Sequence, residues 1–220
     1  MRKILFCLSL FCLMVISLTG VYSQPSYPPQ DLLDEALRSS SYEGTVEEVK
    51  FLLNLGADRH AKNRTGYDAF DLAVTNSNYP VVEFYLKEGQ NPNVVSGGVT
   101  PLRSAAATRD MKLLMLLLRY KADPNYPGDG EGNALMSATG DTQIFMTLVA
   151  HKANIHARDN YGRTVLMWAA LHGTEEVVSF LCRMGVDPEA KDKGGNTALS
   201  EARSKGRENV VKLLENCRKN

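Results

Sequence analysis

The chain has 220 residues, 25 basic and 25 acidic side chains, and 44% hydrophobic residues. That balance argues against a nucleic-acid partner reached through bulk electrostatics, and it is too even to predict an acidic or a basic target. Cys is sparse, at four residues, so the fold is not expected to depend on bridges.

The N-terminal segment Met1–Ser23 has the layout of a secretory signal: basic Arg2 and Lys3, an uncharged run over Ile4–Leu18, then Val21-Tyr22-Ser23 at a cleavage site. The 15-residue run would span roughly 22 Å as a helix, short of a hydrocarbon core about 30 Å thick. Cleavage before Gln24 is therefore expected, and an uncleaved anchor is the alternative. The product would be exported, periplasmic or secreted, with no stable membrane insertion. It would carry 23 basic against 25 acidic residues once Arg2 and Lys3 are lost. Residues 24–30 (QPSYPPQ) read as an extended Pro-rich lead-in.

From Asp31 onward one phrase recurs. Residues 44–58 read GTVEEVKFLLNLGAD and residues 173–187 read GTEEVVSFLCRMGVD, identical at eight of fifteen positions. Anchors Leu37, Phe70, Leu102, Leu135, Leu166 and Leu199 follow at steps of 31 to 33 residues. Such a period means a stack of supersecondary units that share one continuous core. Each anchor heads a helix, with small residues at i+3 and i+4 in the best copies: Ser40/Ser41, Ala105/Ala106, Ala138/Thr139 and Ala169/Ala170. A second helix supplies bulk: Val49, Phe51, Leu52 and Leu53; Val81, Val82, Phe84 and Leu86; Leu113, Leu114, Leu116 and Leu117. Gly56, Gly89 and Gly185 stand where a left-handed helix terminus is needed.

The segments GVTPLRSAA (98–106), GRTVLMWAALHG (162–173) and GNTALSEA (195–202), with ADPN (122–125) and VDP (186–188), resemble the ankyrin repeat family. The resemblance implies an all-α solenoid of about six helix-turn-helix units with β-turn fingers. The units would cover residues 31–63, 64–96, 97–128, 129–159, 160–192 and 193–219.

Departures from the family pattern are local. Asp68-Ala69-Phe70-Asp71 replaces the usual helix start in the second unit. No anchor is followed by His, which removes a bond between fingers. The fourth unit is two residues short and needs the tightest inter-helix turn. Polar Asp34, Glu35 and Arg38, and later Arg203, are expected on the outer faces of the terminal units.

Asp129-Gly130-Glu131-Gly132-Asn133 begins like a calcium loop, but Ala134 and Gly140 break the continuation, so a flexible acidic tip is expected. His60, His151, His156 and His172 lack a second ligand at metal spacing. No nucleophile elbow, phosphate loop or paired-carboxylate pattern appears. No enzyme, cofactor or metal is expected. Cys182 and Cys217 fall two positions apart on equivalent helices, a rotation of about 200°, so two half-buried thiols are expected rather than a bridge. Asn63-Arg64-Thr65 forms a glycosylation sequon. Trp168 is expected to pack between repeats rather than serve as a binding hot spot.

The resemblance implies a monomeric scaffold that binds a protein through a concave face of finger tips and first helices. Carried over by position, the candidates after each finger Gly are Tyr67, Val99, Arg163 and Asn196. At the ends of first helices they are Thr75, Asn76, Ala107, Thr108, Leu171 and His172, with Tyr161 before Gly162. The rival expectation is a dedicated companion of an enzyme or toxin, an inhibitor or immunity factor, or a secreted effector.

Overall fold

The computed structural model describes residues 28–128 and 132–217. The expected signal Met1–Ser23 and the tip Asp129–Glu131 lie outside the described residues, which hold twelve α-helices and no β-strand.

The helices come in six pairs. They are α1 (Gln30–Glu43) with α2 (Val46–Asn54), α3 (Ala69–Thr75) with α4 (Tyr79–Lys87), and α5 (Pro101–Ala107) with α6 (Met111–Arg119). Then follow α7 (Ala134–Ser137) with α8 (Thr142–Ala150), α9 (Val165–His172) with α10 (Glu175–Arg183), and α11 (Ala198–Ser204) with α12 (Glu208–Cys217). First helices stack on first helices, and the second helices form a row behind them.

The sequence accounts for that packing. All six anchors are buried, and Ala73, Ala105, Ala138, Ala169 and Ala202 are sealed at the contacts between first helices. A methyl group there lets two short helices approach closely, while each buried Leu behind contributes about 1.5–3 kcal/mol. Helices this short would not form alone, and their starts are accordingly well capped. Thr45, Asp68, Thr100, Asp110, Asn133, Asp141, Thr164, Thr174 and Thr197 each accept a backbone N–H with the side chain. Such a cap is worth about 1 kcal/mol.

The repeated Gly-Thr has a physical cause. Gly173 is not in the left-handed region, but a Cβ there would meet Ala169 Cα at 2.6 Å. The chain passes too close to the preceding helix for any side chain. Gly56, Gly89 and Gly185 do adopt positive φ, as expected, and Lys121 and Lys152 hold the same conformation where the third and fourth units lack Gly. The two missing residues of the fourth unit show as a one-turn α7 that tightens into a 3-10 turn, Ala138–Gly140, before Asp141 caps α8.

The structure departs from five expectations, the last of them at the cysteines. Asp68 and Asp71 do start α3 properly, as a reciprocal capping box. Asp71 Oδ2 also accepts Ser96 Oγ at 2.6 Å, so the residue after this anchor bonds the next finger without His. Asp34 is buried rather than outward, and accepts the Asp58 N–H and Gln30 Nε2, each at 2.8 Å. Phe51 is 45% exposed, because it lies about 200° around the helix from Val49. The bulk missed by the sequence reading is Tyr85. Its ring is fully buried edge-on to Phe70, and its hydroxyl shares a 2.8 Å hydrogen bond with Ser41. Burial pushes that hydroxyl up to about 12, so it remains a neutral partner.

Cys182 and Cys217 form a disulfide, with Cα atoms 5.4 Å apart, which overturns the expectation of two thiols. The 200° rotation was correct but points the other way. Equivalent residues on stacked helices face the same direction and never meet. A bridge between neighbours needs side chains turned about half a circle apart, which an offset of two residues supplies.

Candidate protein-binding site

Each finger begins with an Asx turn. Asp58, Asn91, Asp123, Asn154 and Asp187 accept the N–H two residues on, at 2.8–2.9 Å. A second Asx holds the tip itself. Asn63 Oδ1 takes the Thr65 and Tyr67 N–H groups, and Asp192 Oδ1 takes those of Gly194 and Asn196. The sequon's Asn63 is thus folded under its own tip.

In the fifth finger this residue is Asp159, whose side chain has no exposure. Its Oδ1 accepts the Tyr161 and Arg163 N–H groups, each at 2.9 Å. Its Oδ2 accepts Arg163 Nε at 2.7 Å and Trp168 Nε1 at 3.0 Å. Each of its two oxygens therefore accepts two bonds, so the buried carboxylate is fully satisfied, the condition for burying a charge at acceptable cost.

Around it a stack of π-faces and one cation is assembled. The Arg163 guanidinium lies 4.4 Å from the Trp168 ring centroid and 5.1 Å from that of Tyr161. The His172 ring lies 6.2 Å from Trp168. Tyr161 is 56% exposed, His172 is exposed, and Arg163, Trp168 and Leu171 are half-buried. A guanidinium over Trp contributes roughly 0.5–1 kcal/mol or more and fixes the Arg before any partner arrives. Trp168 packs partly against the core, but its polar edge and one face serve its own finger.

The neighbouring elements are tied in. The Lys193 N–H of the sixth finger donates to Tyr161 O at 2.9 Å, and Arg158 Nη1 donates to Gly162 O and Lys191 O at 2.8 and 3.0 Å. Arg207 reaches back from the sixth unit, its Nη1 donating to Ala169 O and Ala170 O at 2.9 Å and its Nη2 to Gly173 O, closing the end of α9.

Of the sequence candidates, Tyr161, Arg163 and His172 form this cluster, and Leu171 lies beside His172 in the chain. The others sit elsewhere. Half-buried Tyr67 places its hydroxyl against Gly97 of the next finger, and Val99 pairs by backbone with Ser96. Thr75 and Thr108 turn their hydroxyls onto their own helices, toward Asp71 O and Ser104 O. Asn76 donates to Tyr42 O of the first unit, Asn196 binds Asp192, and Ala107 is exposed. The residue the sequence reading missed is Asp159. The recurring Asx-x-x-Gly at Asn63, Asp159 and Asp192 was the available signal.

Comparison with known proteins agrees with this architecture. A family model described as ankyrin repeats (3 copies) matches residues 70–159 and 133–220. The ankyrin repeat protein YahD of Escherichia coli (strain K12) is 28% identical over 184 residues, covering 80% of this chain and 92% of the relative. Among solved structures, a chain in the complex of the Bdellovibrio bacteriovorus predatory endopeptidase Bd0816 with immunity protein Bd3460 superposes with a TM-score of 0.71 at 26% identity. That match covers 83% of this chain and 97% of the other. An ankyrin repeat domain from Acinetobacter baumannii AYE gives 0.69 at 26% identity, over 82% and 96% of the two chains. Capped helix pairs, Asx-held fingers and the family match lead to one conclusion: the chain belongs to the ankyrin repeat family.

Proposed function

We propose that this is an exported bacterial ankyrin-repeat module that binds a protein partner through the concave side formed by its fingers and first helices. The observation that carries the reading is the Tyr161–Arg163–Trp168 stack on Asp159, an exposed aromatic and a preset Arg on a rigid base. Aromatic and Arg side chains dominate binding energy at protein interfaces, and fixing them beforehand lowers the cost of association. Among the described residues no helix is long and apolar enough to cross a membrane.

Two features support export: the signal-like Met1–Ser23, and the Cys182–Cys217 bridge, a kind of bond that persists in oxidising compartments. Bacterial origin is supported by the relative in E. coli and the two bacterial structures.

A second reading has its own support. The match to a chain in an endopeptidase–immunity complex favours a dedicated companion that occupies an enzyme. Both readings put a protein on the module and differ in what that protein does.

Affinity capture with the mature chain tests the binding reading. Tyr161→Ala with Arg163→Ala should weaken the captured partner by about 2 kcal/mol or more. Retained binding, with loss instead on changing Lys50 and Arg183 of the second helices, would move the site to the opposite face. Mass spectrometry should find the N-terminus near Gln24 and no reactive thiol before reduction; an intact Met1 in a membrane fraction would overturn export.

A further inference from the structure

The Cys182–Cys217 bridge is not sealed in the core. Both cysteines are half-buried, and both line an open cleft of about 620 Å³ between the end of α10 and the last turn of α12. Leu213 and Asn216 of α12 face it as well, and Arg183 and Asp187 contribute one charge of each sign, so its lining adds no net charge to repel a thiolate.

The bridge ties down the sixth unit, whose α11 packs on α9 and whose α12 packs on α10. As the end of the stack, this unit has a neighbour on one side only. It is also the unit that braces the candidate site. Lys193 N–H holds Tyr161 O, Arg158 reaches Lys191 O, and Arg207 holds the carbonyls of Ala169, Ala170 and Gly173 around Leu171 and His172. A covalent bond on the second-helix side therefore secures the support of a cluster on the finger side.

We propose that Cys182–Cys217 is a thiol-exchange site opened by a dithiol, and that its state sets the rigidity of the Tyr161–Arg163–Trp168 cluster. One thiolate of the dithiol bonds to one cysteine sulfur, and the other cysteine leaves as a thiolate and takes a proton from water. The second thiol then attacks the reagent's own sulfur in the mixed disulfide and releases the remaining cysteine. The dithiol ends as a disulfide, having given up two electrons and two protons, and the protein ends with two thiols. Exchange depends on access, which the cleft supplies. The reduced sixth unit opens more often, and each opening removes the bonds to Tyr161 O and to the end of α9. As regulation of binding, this rests on the reading that the cluster meets a partner. With export as proposed, the bridge closes only after the chain leaves a reducing compartment, so the site becomes rigid where its partner is met.

Trp168 is the chain's only Trp, and its indole is bonded to Asp159 inside the cluster, so its fluorescence reads the cluster without a partner. The mature chain is treated with dithiothreitol and then reoxidised. Acrylamide quenching of Trp168 should rise about twofold on reduction and return on reoxidation. Amide exchange in α12 should accelerate on the order of a hundredfold, with most of the helical circular dichroism retained. Cys182→Ser with Cys217→Ser should match the reduced chain and ignore dithiothreitol; reduction of the wild type gives the same reading without a variant. Arg207→Gln should raise quenching in the oxidised chain, because it cuts the link to α9 and leaves the bridge intact.

A bridge that dithiothreitol opens only after urea has unfolded the chain would overturn the exchange site. Equal Trp168 quenching in the two states would overturn the coupling, and loss of all helical signal on reduction would make the bridge a staple of the whole fold. Each of these results leaves the finger side as a binding surface. A captured partner indifferent to the Tyr161/Arg163 pair would instead remove the binding reading and leave the exchange and its Trp168 response standing.

Discussion

The second and fifth repeats share a backbone plan and place their carboxylates in opposite places. In the second, the acids stand at the helix start: Asp68 and Asp71 bond each other's N–H at 2.9–3.0 Å, and the tip is held by neutral Asn63. In the fifth, the start is Thr164 with Met167, and the acid, Asp159, holds the tip. The shared turn requires only one acceptor in each place. Where the charge stands decides what else is fixed. Asp71 reaches Ser96 and steadies the next finger, whereas the second oxygen of Asp159 holds Arg163 and Trp168 on the surface. The second repeat uses its charge for the stack, and the fifth for a surface a partner can meet.

The largest effect should separate the two regions outright. The fifth repeat is bridged to the sixth by a disulfide closing 35 residues of sequence separation, and nothing of that kind holds the second. Cys217→Ser should cost about 2–4 kcal/mol. Because a stack unravels from its ends, hydrogen exchange should accelerate in α11 and α12 and stay unchanged in α3 and α4. Uniform acceleration would show that the stack melts as one unit.

Asp159→Ala should cost about 2–3 kcal/mol in urea denaturation, since it strands two N–H groups, a guanidinium and an indole. Asn63→Ala should cost about 1 kcal/mol. Equal losses would mean that the second carboxylate oxygen contributes nothing.

The pH dependence of two acids should have opposite signs. Burial raises the Asp68 carboxyl above its ordinary 3.8, against lowering by the Asp71 and Phe70 N–H groups. Its contribution is therefore fully present below 3.8 and is lost as pH rises through the folded-state value. Burial also acts upward on Asp192, but bonds from Asn196 and Gly194, with Arg163 nearby, outweigh it and hold this carboxyl below 3.8. Its contribution is present above 3.8 and is lost as pH falls through the lower folded value. Denaturation at a series of pH values should show Asp68→Asn gaining on the wild type above about pH 4. Asp192→Asn should trail most near neutrality and converge with it in acid. Parallel profiles would remove the distinction.

The smallest effect concerns helix ends. After the second helix the second and fifth repeats carry Gly89 and Gly185, while the fourth carries Lys152 at φ 67°. Lys152→Gly should raise stability by about 0.5–1 kcal/mol, read as a shift in the urea midpoint.

The six-unit plan was legible because periodicity and small-residue spacing are local: the anchors, the alanines behind them and the helix-ending Gly each follow from one helix's own geometry. The candidate cluster was half legible. Tyr161, Arg163, Leu171 and His172 could be placed by register, but the acceptor that assembles them could not, since an Asp before a turn has a sufficient local explanation. Asp34 reads as a surface charge until the next finger supplies Asp58 N–H, and Phe51 reads as core until the helix is rotated into place. The disulfide was misread for the same reason. Sequence gives the angle of each side chain about its own helix, and only the stacking of two helices decides whether those angles face each other. By itself, then, the sequence determined the repeat, the family likeness and the positions of the turns. The tertiary structure decided which polar groups are buried against which partners, because burial and pairing belong to neighbours brought together across a repeat, and no single segment encodes them.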